Sequence, residues 1–270
     1  MEKKGIVEVT KKKSAVGFLV AIIMFVLYNI ASTIFGGAEN FGLGLTSVRV
    51  IISFGGIIAA AKLFGIDIKF RGKDVLRGLI SAGSLLFLAE CVHNLFDAWQ
   101  TPEYGFLQAL PAVIIILIWG MGVGLFEEAL CRGVLFNTFR NRMGESRSSI
   151  VKSIVFSSLI FGCMHFINLM DCPNLVVTTF NQVVYATLIG ISLACIYYIT
   201  DNIWVVSILH GLFDIAAAIM GCFVTSGSHI YADQDITVLE AIKTSGLFAV
   251  TAVIFFILLF REFKKRGIEE

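Results

Sequence analysis

Long, uninterrupted apolar runs are the feature of this 270-residue sequence that most constrains its fold. The hydrocarbon core of a bilayer is about 30 Å thick, so a helix needs about 20 apolar residues to cross it. Runs of that size recur about eight times, near residues 14–35, 46–66, 76–96, 108–132, 149–168, 176–199, 203–224 and 238–260. Charged residues make up only 15% of the chain, where about a quarter is usual. The sequence therefore predicts an all-α polytopic membrane protein with about eight transmembrane helices, forming one membrane domain over residues 1–270.

The basic residues predict how these helices are oriented. Cytoplasmic loops of membrane proteins carry an excess of Lys and Arg. If the N-terminus is cytoplasmic, only Arg49 and Lys243 of the 21 Lys and Arg residues fall toward the far side. An even number of spans with both termini in the cytoplasm is therefore predicted. A net charge of +1 without a basic block argues against a nucleic-acid partner, so the lipid bilayer is the expected surrounding.

Ionisable side chains inside the apolar runs mark candidate functional positions, because each costs roughly 2.5–3.5 kcal/mol to place at membrane depth. They are Glu90, His93, Glu127, Glu128, Arg132, His165, His210 and Asp214. Counted from cytoplasmic anchor residues at about 1.5 Å per residue, Glu127 and His165 lie about 20 Å deep, and His210 and Asp214 lie about 12 and 18 Å deep. We therefore expect three helices to bring these polar groups together in one layer.

Spacing within the helices predicts which of these groups pair. Glu128 and Arg132 are four residues apart, in acid-before-base order, and are expected to form an ion pair. Glu127 projects about 100° away from Glu128 on the same helix and is left free, as a general base must be. His210 and Asp214 are also four residues apart, so the acid is expected to hold one ring nitrogen of the imidazole.

Two further pairs lie at helical spacing. Phe161 and His165 are four residues apart and share one helix face. Glu90 and His93 are three residues apart in the third run and match no motif. For this second pair we expect local pairing or a supporting role behind the site.

Three short motifs, in this order along the chain, resemble those of a known family. Glu127-Glu128-Ala-Leu-Cys-Arg132 matches EExxxR, Phe161-Gly-Cys-Met-His165 matches FxxxH, and His210-Gly-Leu-Phe-Asp214 matches HxxxN/B. Together they resemble the motifs of the CPBP family, the CAAX proteases and bacteriocin-processing enzymes, also called the ABI family. The resemblance covers about residues 105–225, the expected catalytic core, and leaves the other spans unassigned.

The resemblance implies an intramembrane endopeptidase of the glutamic type that requires no cofactor. Its substrate would be a membrane-associated peptide or protein, cut near the membrane surface. Carried onto this sequence, the family's motifs imply that Glu127 and His165 activate a water molecule for attack on the scissile carbonyl.

The same resemblance assigns the oxyanion site to His210 and residue 214, and a supporting role to Glu128, Arg132 and Phe161. The prenyl-protein protease branch has Asn at the position of Asp214, and an ionised Asp cannot donate a hydrogen bond. Either Asp214 is protonated in its low-dielectric setting, or it orients His210 so that the protonated imidazole faces the developing negative charge, and we favour the second. Asp in place of Asn at this position still fits the bacterial form of the third motif. This favours a bacterial plasma-membrane protein and weakens the case for a prenylated CAAX substrate.

Three other functions stay open on sequence alone. His165, His210 and a glutamate form the donor set of a catalytic zinc ion, although the chain has neither an HExxH motif nor CxxC spacing. A non-proteolytic membrane scaffold or a bacteriocin-immunity type protein would use the polar layer to bind a partner. A transporter would line a path across the bilayer with polar groups, whereas the groups here gather in one layer.

Overall fold

The computed structural model describes residues 2–35, 43–224 and 235–268, and every regular element in these segments is a helix. The α-helices are α1 (Glu2–Phe35), α2 (Leu43–Phe64), α3 (Gly72–Leu79), α4 (Ala82–Asp97), α5 (Phe106–Glu128), α6 (Asn137–Met143), α7 (Arg147–Met164), α8 (Asn168–Asp171), α9 (Val176–Thr200), α10 (Ile203–Ala218) and α11 (Val238–Arg266). A π-helix (Ala129–Phe136) joins α5 to α6, and 3-10 helices follow α7 (His165–Ile167) and α10 (Ile219–Phe223). The all-helical fold predicted from the apolar runs is confirmed.

Within the described residues, 7 helical segments are long and apolar enough to cross a membrane. They are Thr10–Phe35, Leu43–Phe64, Phe106–Met143, Arg147–Asp171, Val176–Thr200, Ile203–Phe223 and Val238–Arg266. Each overlaps one of the predicted runs, so the prediction of a polytopic membrane protein is confirmed. The placement of both termini in the cytoplasm stays a prediction.

The third apolar run is not one continuous span, contrary to the prediction for residues 76–96. Here α3 and α4 meet at a bend of 69°. The number of candidate membrane spans rises from 7 to 8 only if this bent pair is a single span. The break has a local cause, because the Ser81 side chain accepts a hydrogen bond from the backbone N–H of Ser84 and caps the N-terminus of α4. The 16 residues of α4 rise about 24 Å, which falls short of the bilayer core.

The fourth run continues past its predicted end at residue 132. One apolar span, Phe106–Met143, includes α5, the π-helix and α6. The side-chain amide of Asn137 donates to the carbonyls of Arg132 and Gly133, at 2.8 and 3.0 Å, inside the π-helix. π-Helical segments within α-helices are frequent at functional sites. This one begins directly after the two adjacent glutamates, and it changes the direction in which the following side chains leave the helix axis.

Glycines allow α5 and α10 to pack closely. A Cβ atom at Gly124 of α5 would lie 2.4 Å from the backbone nitrogen of Gly211 and 2.6 Å from the carbonyl oxygen of Ser207, both on α10. Such close approach through small residues is typical of helix pairs in membranes. The contact brings the end of α5, with its two glutamates, next to the middle of α10.

We expect Gly124→Ala to lower the free energy of unfolding by about 1–3 kcal/mol, because the new methyl group meets backbone atoms that cannot rotate away. Thermal unfolding of the purified protein in detergent micelles measures the loss. Gly55→Ala in α2 is the matched control, since a Cβ there has no atom within 4 Å. Equal unfolding temperatures for the two variants would contradict the close α5–α10 contact.

Candidate active site

The three sequence motifs come together in one cluster of side chains, which we call the motif cluster. Its members come from α5 and the π-helix (Glu127, Glu128, Arg132), from the end of α7 and the 3-10 helix after it (Phe161, His165), and from α10 (His210, Asp214). The Phe161 ring is a shared contact, because the Arg132 guanidinium lies 5.4 Å from its centroid and the His210 ring lies 5.6 Å from it.

Glu128 lies at the centre of the motif cluster. Its side chain is fully buried, and Oε1 accepts hydrogen bonds from Nη1 of Arg132 and Nδ1 of His210, both at 2.7 Å. Since an ionised carboxylate can only accept, Nδ1 of His210 carries the hydrogen. Arg132 is buried as well and donates from Nη2 to the carbonyl of Gly190 on α9 at 2.6 Å. The predicted ion pair of Glu128 and Arg132 is confirmed, and it connects three helical segments.

Glu127 contacts the opposite edge of the same imidazole. Its Oε2 lies 3.3 Å from Nε2 of His210, so one ring lies between the two glutamates. The side chain of Glu127 is 23% exposed, whereas that of Glu128 is 0% exposed. The prediction that Glu127 is free considered only the residues of its own helix. It therefore did not include the His210 imidazole, which α10 supplies.

Asp214 does not hold the His210 ring as predicted. Its Oδ2 lies 4.0 Å from Nε2 of His210, beyond hydrogen-bond distance, and this buried oxygen has no hydrogen-bond partner among the described residues. Nδ1 of His210 is already bound to Glu128 of the neighbouring helix. The expectation that Asp214 orients the imidazole is therefore wrong, and Glu128 orients it instead.

His165 joins the motif cluster through Phe161. Its Nδ1 lies 3.1 Å from the carbonyl oxygen of Phe161, so Nδ1 donates and Nε2 is left as an acceptor. The Phe161 ring meets His165 edge-to-face at a centroid distance of 5.1 Å and meets His210 in the same way. The two histidines thus contact one aromatic ring, and His165 is partly buried.

The motif cluster has a buried floor and a more open rim. The side chains of Glu128, Arg132 and His210 are 0%, 1% and 5% exposed and form the floor. Glu127 and Asp214 keep 23% and 20% exposure and form the rim. Because the dielectric constant is low among these buried side chains, the electrostatic interactions between them are strong and hold the imidazole of His210 in one orientation. The arrangement can therefore supply a carboxylate base beside a fixed imidazole.

Two parts of the site carried no motif in the sequence. Gly190 supplies the carbonyl that binds Arg132, and a Cβ there would lie 3.0 Å from Ser158 and 3.1 Å from Phe161. Asn137 binds carbonyls of the π-helix and also donates to the hydroxyl of Tyr197. The only signal for Asn137 was a polar residue after an apolar stretch, and Gly190 gave no signal.

Glu90 and His93 do not form the local pair that their spacing suggested. Glu90 is buried, and neither of its carboxylate oxygens has a hydrogen-bond partner among the described residues. His93 is exposed on α4. The two side chains therefore lie in different environments, and neither belongs to the motif cluster.

A catalytic zinc ion, the alternative that the sequence left open, would need three protein ligands. In the segments that the structure describes, no group of three or more His, Cys, Asp and Glu side chains could hold a metal ion. Nδ1 of His210, one of the candidate zinc ligands, is bound to Glu128. The zinc alternative therefore has no preformed ligand set in this part of the chain.

A family model matches the central part of the chain. Residues 109–216 match the model described as Type II CAAX prenyl endopeptidase Rce1-like. The matched segment contains all three motifs. No match was found among curated proteins or among solved structures. The match confirms the resemblance to the CPBP family that the motifs indicated.

Proposed function

We propose that this chain, whose central segment is similar to the Rce1-like endopeptidases, is an intramembrane protease of the glutamic type. The observation that carries the proposal is the position of His210 between two glutamates of unequal exposure. Nδ1 contacts the buried Glu128 at 2.7 Å, and Nε2 contacts the partly exposed Glu127 at 3.3 Å. One carboxylate thus fixes the ring, and the other is available for chemistry.

Glu127 is the proposed general base. Oε1 of Glu128 accepts from Arg132 and His210, and its Oε2 atom is buried, so neither oxygen is open to a water molecule at the rim. Glu127 contacts Nε2 of His210 at the longer distance of 3.3 Å, and its side chain is 23% exposed. A positioned base of this kind contributes about 10²–10⁴ in rate. The unpaired Nε2 of His165 is the proposed acceptor for the second hydrogen of the same water.

The proposed reaction is hydrolysis of a peptide bond. The water oxygen bonds to the scissile carbonyl carbon while its proton moves to Glu127. The carbonyl oxygen becomes an oxyanion and accepts a hydrogen bond from Nε2 of protonated His210, a contact of a kind that contributes about 10²–10³. The C–N bond then breaks, and Glu127 returns the proton to the leaving amine. Asp214, 4.0 Å from Nε2, balances the charge of the protonated ring.

The proposed substrate is a membrane-associated peptide or protein. The site is built by helices of membrane-spanning length and composition, so a substrate has to reach it from the bilayer or its surface. Asp at position 214, where the prenyl-protein branch has Asn, supports a substrate other than a prenylated CAAX protein. We place the enzyme in a bacterial plasma membrane on the same ground.

The test compares the membrane peptides of cells that express the wild type or Glu127→Gln. Gln keeps the size of Glu but cannot take a proton, so peptides released by the wild type are expected to fall by about 10² or more. Mass spectrometry of membrane and medium fractions measures these peptides and identifies the cleaved bonds.

Glu90→Gln is the matched control, because Glu90 is a buried glutamate of α4 outside the motif cluster. Its products are expected to equal those of the wild type. Identical peptide sets for wild type and Glu127→Gln would overturn the proposal and favour a scaffold or immunity-type protein. Loss of cleavage on addition of EDTA would instead favour the zinc hydrolase.

A further inference from the structure

A cavity of about 220 Å³ lies between α4, α9 and α11, and no member of the motif cluster lines it. Its apolar wall consists of Ile196 and Ile199 on α9 and Leu258 on α11. The start of α4 lines the cavity as well, and a Cβ at Gly83 would lie 3.4 Å from Ile196 and 3.9 Å from Leu258. The three helices therefore approach one another at Gly83 and leave an open volume beside this contact.

The charged part of the cavity lining belongs to one face of α11. Arg261, Glu262 and Lys265 follow Leu258 by three, four and seven residues, which is the spacing of one helix face. Glu262 accepts a hydrogen bond from Nε of Arg266 at 2.7 Å, so a residue outside the lining balances its charge. Arg261 is exposed, and Lys265 is 78% exposed although its Nζ lies 3.6 Å from Glu262. The lining therefore keeps a net positive charge that a ligand can reach.

This charged face lies at the level of the lipid headgroups. The 29 residues of α11 extend over about 43 Å, close to the roughly 40–45 Å of a bilayer with its headgroup regions. Val250, Val253 and Ile257 are 61%, 59% and 48% exposed, as expected for a helix surrounded by lipid tails. Arg261 and Lys265 follow in the last two turns of the helix. Their side chains therefore lie where the phosphate groups of the lipids lie.

The bend between α3 and α4 places the start of α4 at the same level. Helix α3 is short and amphipathic, with Lys73 and Arg77 exposed and Val75 and Gly78 buried. It turns away from α4 by 69°, as a helix that lies along a membrane surface does. The N-terminus of α4 carries a partial positive charge, which adds to the charge of the α11 face.

We propose that this cavity binds the phosphate headgroup of an anionic phospholipid. Basic pockets between membrane-spanning helices bind such headgroups, and Arg261 and Lys265 supply the cations here. The volume of about 220 Å³ is below the roughly 300–1,000 Å³ of a site for a drug-sized ligand, so the headgroup enters and the acyl chains stay in the bilayer. Ile196 and Leu258 offer apolar contacts to the carbons next to the phosphate, which a soluble anion lacks. The proposal does not depend on the protease function.

The test titrates the purified 270-residue chain in detergent micelles with single lipids and measures bound lipid by native mass spectrometry. Phosphatidylglycerol has a negative net charge, and phosphatidylcholine has none. Phosphatidylglycerol is expected to bind about twenty-fivefold more tightly, because each of the two cations near the membrane surface contributes about fivefold. Inorganic phosphate at the same concentration is expected to leave the bound lipid in place.

Variants of the lining residues test the assignment. Arg261→Gln and Lys265→Gln are each expected to weaken the binding of phosphatidylglycerol by about fivefold, whereas Arg261→Lys keeps the charge and most of the affinity. Ala82→Leu fills the cavity from α4 without changing a charge and is also expected to weaken binding. Lys264→Gln is the matched control, because Lys264 is an exposed cation of the same turn that does not line the cavity. Its affinity is expected to stay within about twofold of the wild type.

Three outcomes would overturn the proposal. Equal affinities for the two lipids would show that the charge of the lipid is not recognised. Equal losses for Arg261→Gln and Lys264→Gln would show that binding follows the overall charge of this end of α11. Displacement of phosphatidylglycerol by inorganic phosphate at equal concentration would assign the cavity to a soluble anion. Thermal unfolding without lipid establishes that each variant is folded, and Arg261→Lys and Ala82→Leu decide the question if Arg261→Gln is not.

Discussion

Replacing Arg132 with methionine is expected to lower the free energy of unfolding by about 3–5 kcal/mol, because the charge of Glu128 would stay buried without its partner. The two side chains are 1% and 0% exposed, and Nη1 and Oε1 are 2.7 Å apart, so water cannot replace the lost contact. The carbonyl of Gly190 would lose its donor as well. Unfolding in mixed micelles with increasing denaturing detergent measures the loss.

The double variant Glu128→Leu/Arg132→Met tests the reason for that loss. Its loss is expected to be smaller than the sum of the two single losses, because neither Glu128 nor Arg132 is then left as a buried charge without the other. Glu145→Gln is the control, since Glu145 is 64% exposed in its ion pair with Arg140, and such pairs contribute about 0–1 kcal/mol. Strictly additive losses would contradict the assignment of Glu128 and Arg132 as a charge pair.

Two residue pairs with the same spacing indicate how far helical periodicity predicts a site. Glu128 and Arg132 pair as predicted, because both lie on one continuous helical segment. His210 and Asp214 are also four residues apart, yet Glu128 of α5 lies closer to the imidazole than Asp214 does. Spacing along one helix carries no information about the side chains that a neighbouring helix supplies. The floor of the site could therefore be predicted only in part.

The fold was predictable to a similar extent. The apolar runs located the long helices because bilayer thickness sets their length. The break at Ser81 and the π-helix after Glu128 were not predicted, since no proline marks either position and a single N-cap serine is a weak signal. Arg49 stood out in the sequence as one of two basic residues on the predicted far side. Its hydrogen-bond partner, Tyr28, lies on another helix and could not be predicted from spacing.

His210→Asn is expected to lower the yield of released peptides by about 10²–10³ while the protein stays folded. The amide nitrogen of Asn can take the place of Nδ1 and donate to Glu128, but the shorter side chain ends before it reaches Glu127. The variant therefore keeps the floor hydrogen-bonded and removes the group proposed to bind the oxyanion. Mass spectrometry gives the yield, and thermal unfolding of the same preparation establishes that the variant is folded.

His93→Asn is the matched control, because His93 is exposed on α4 and its replacement is expected to leave yield and stability unchanged. His210→Gln is the complementary change, since its amide reaches the place of Nε2 but leaves the position of Nδ1 empty. It is expected to lose more stability than His210→Asn, because Glu128 then lacks one of its two donors. Wild-type yield from His210→Asn would contradict the proposed reaction, since no donor would remain beside Glu127 to meet the oxyanion.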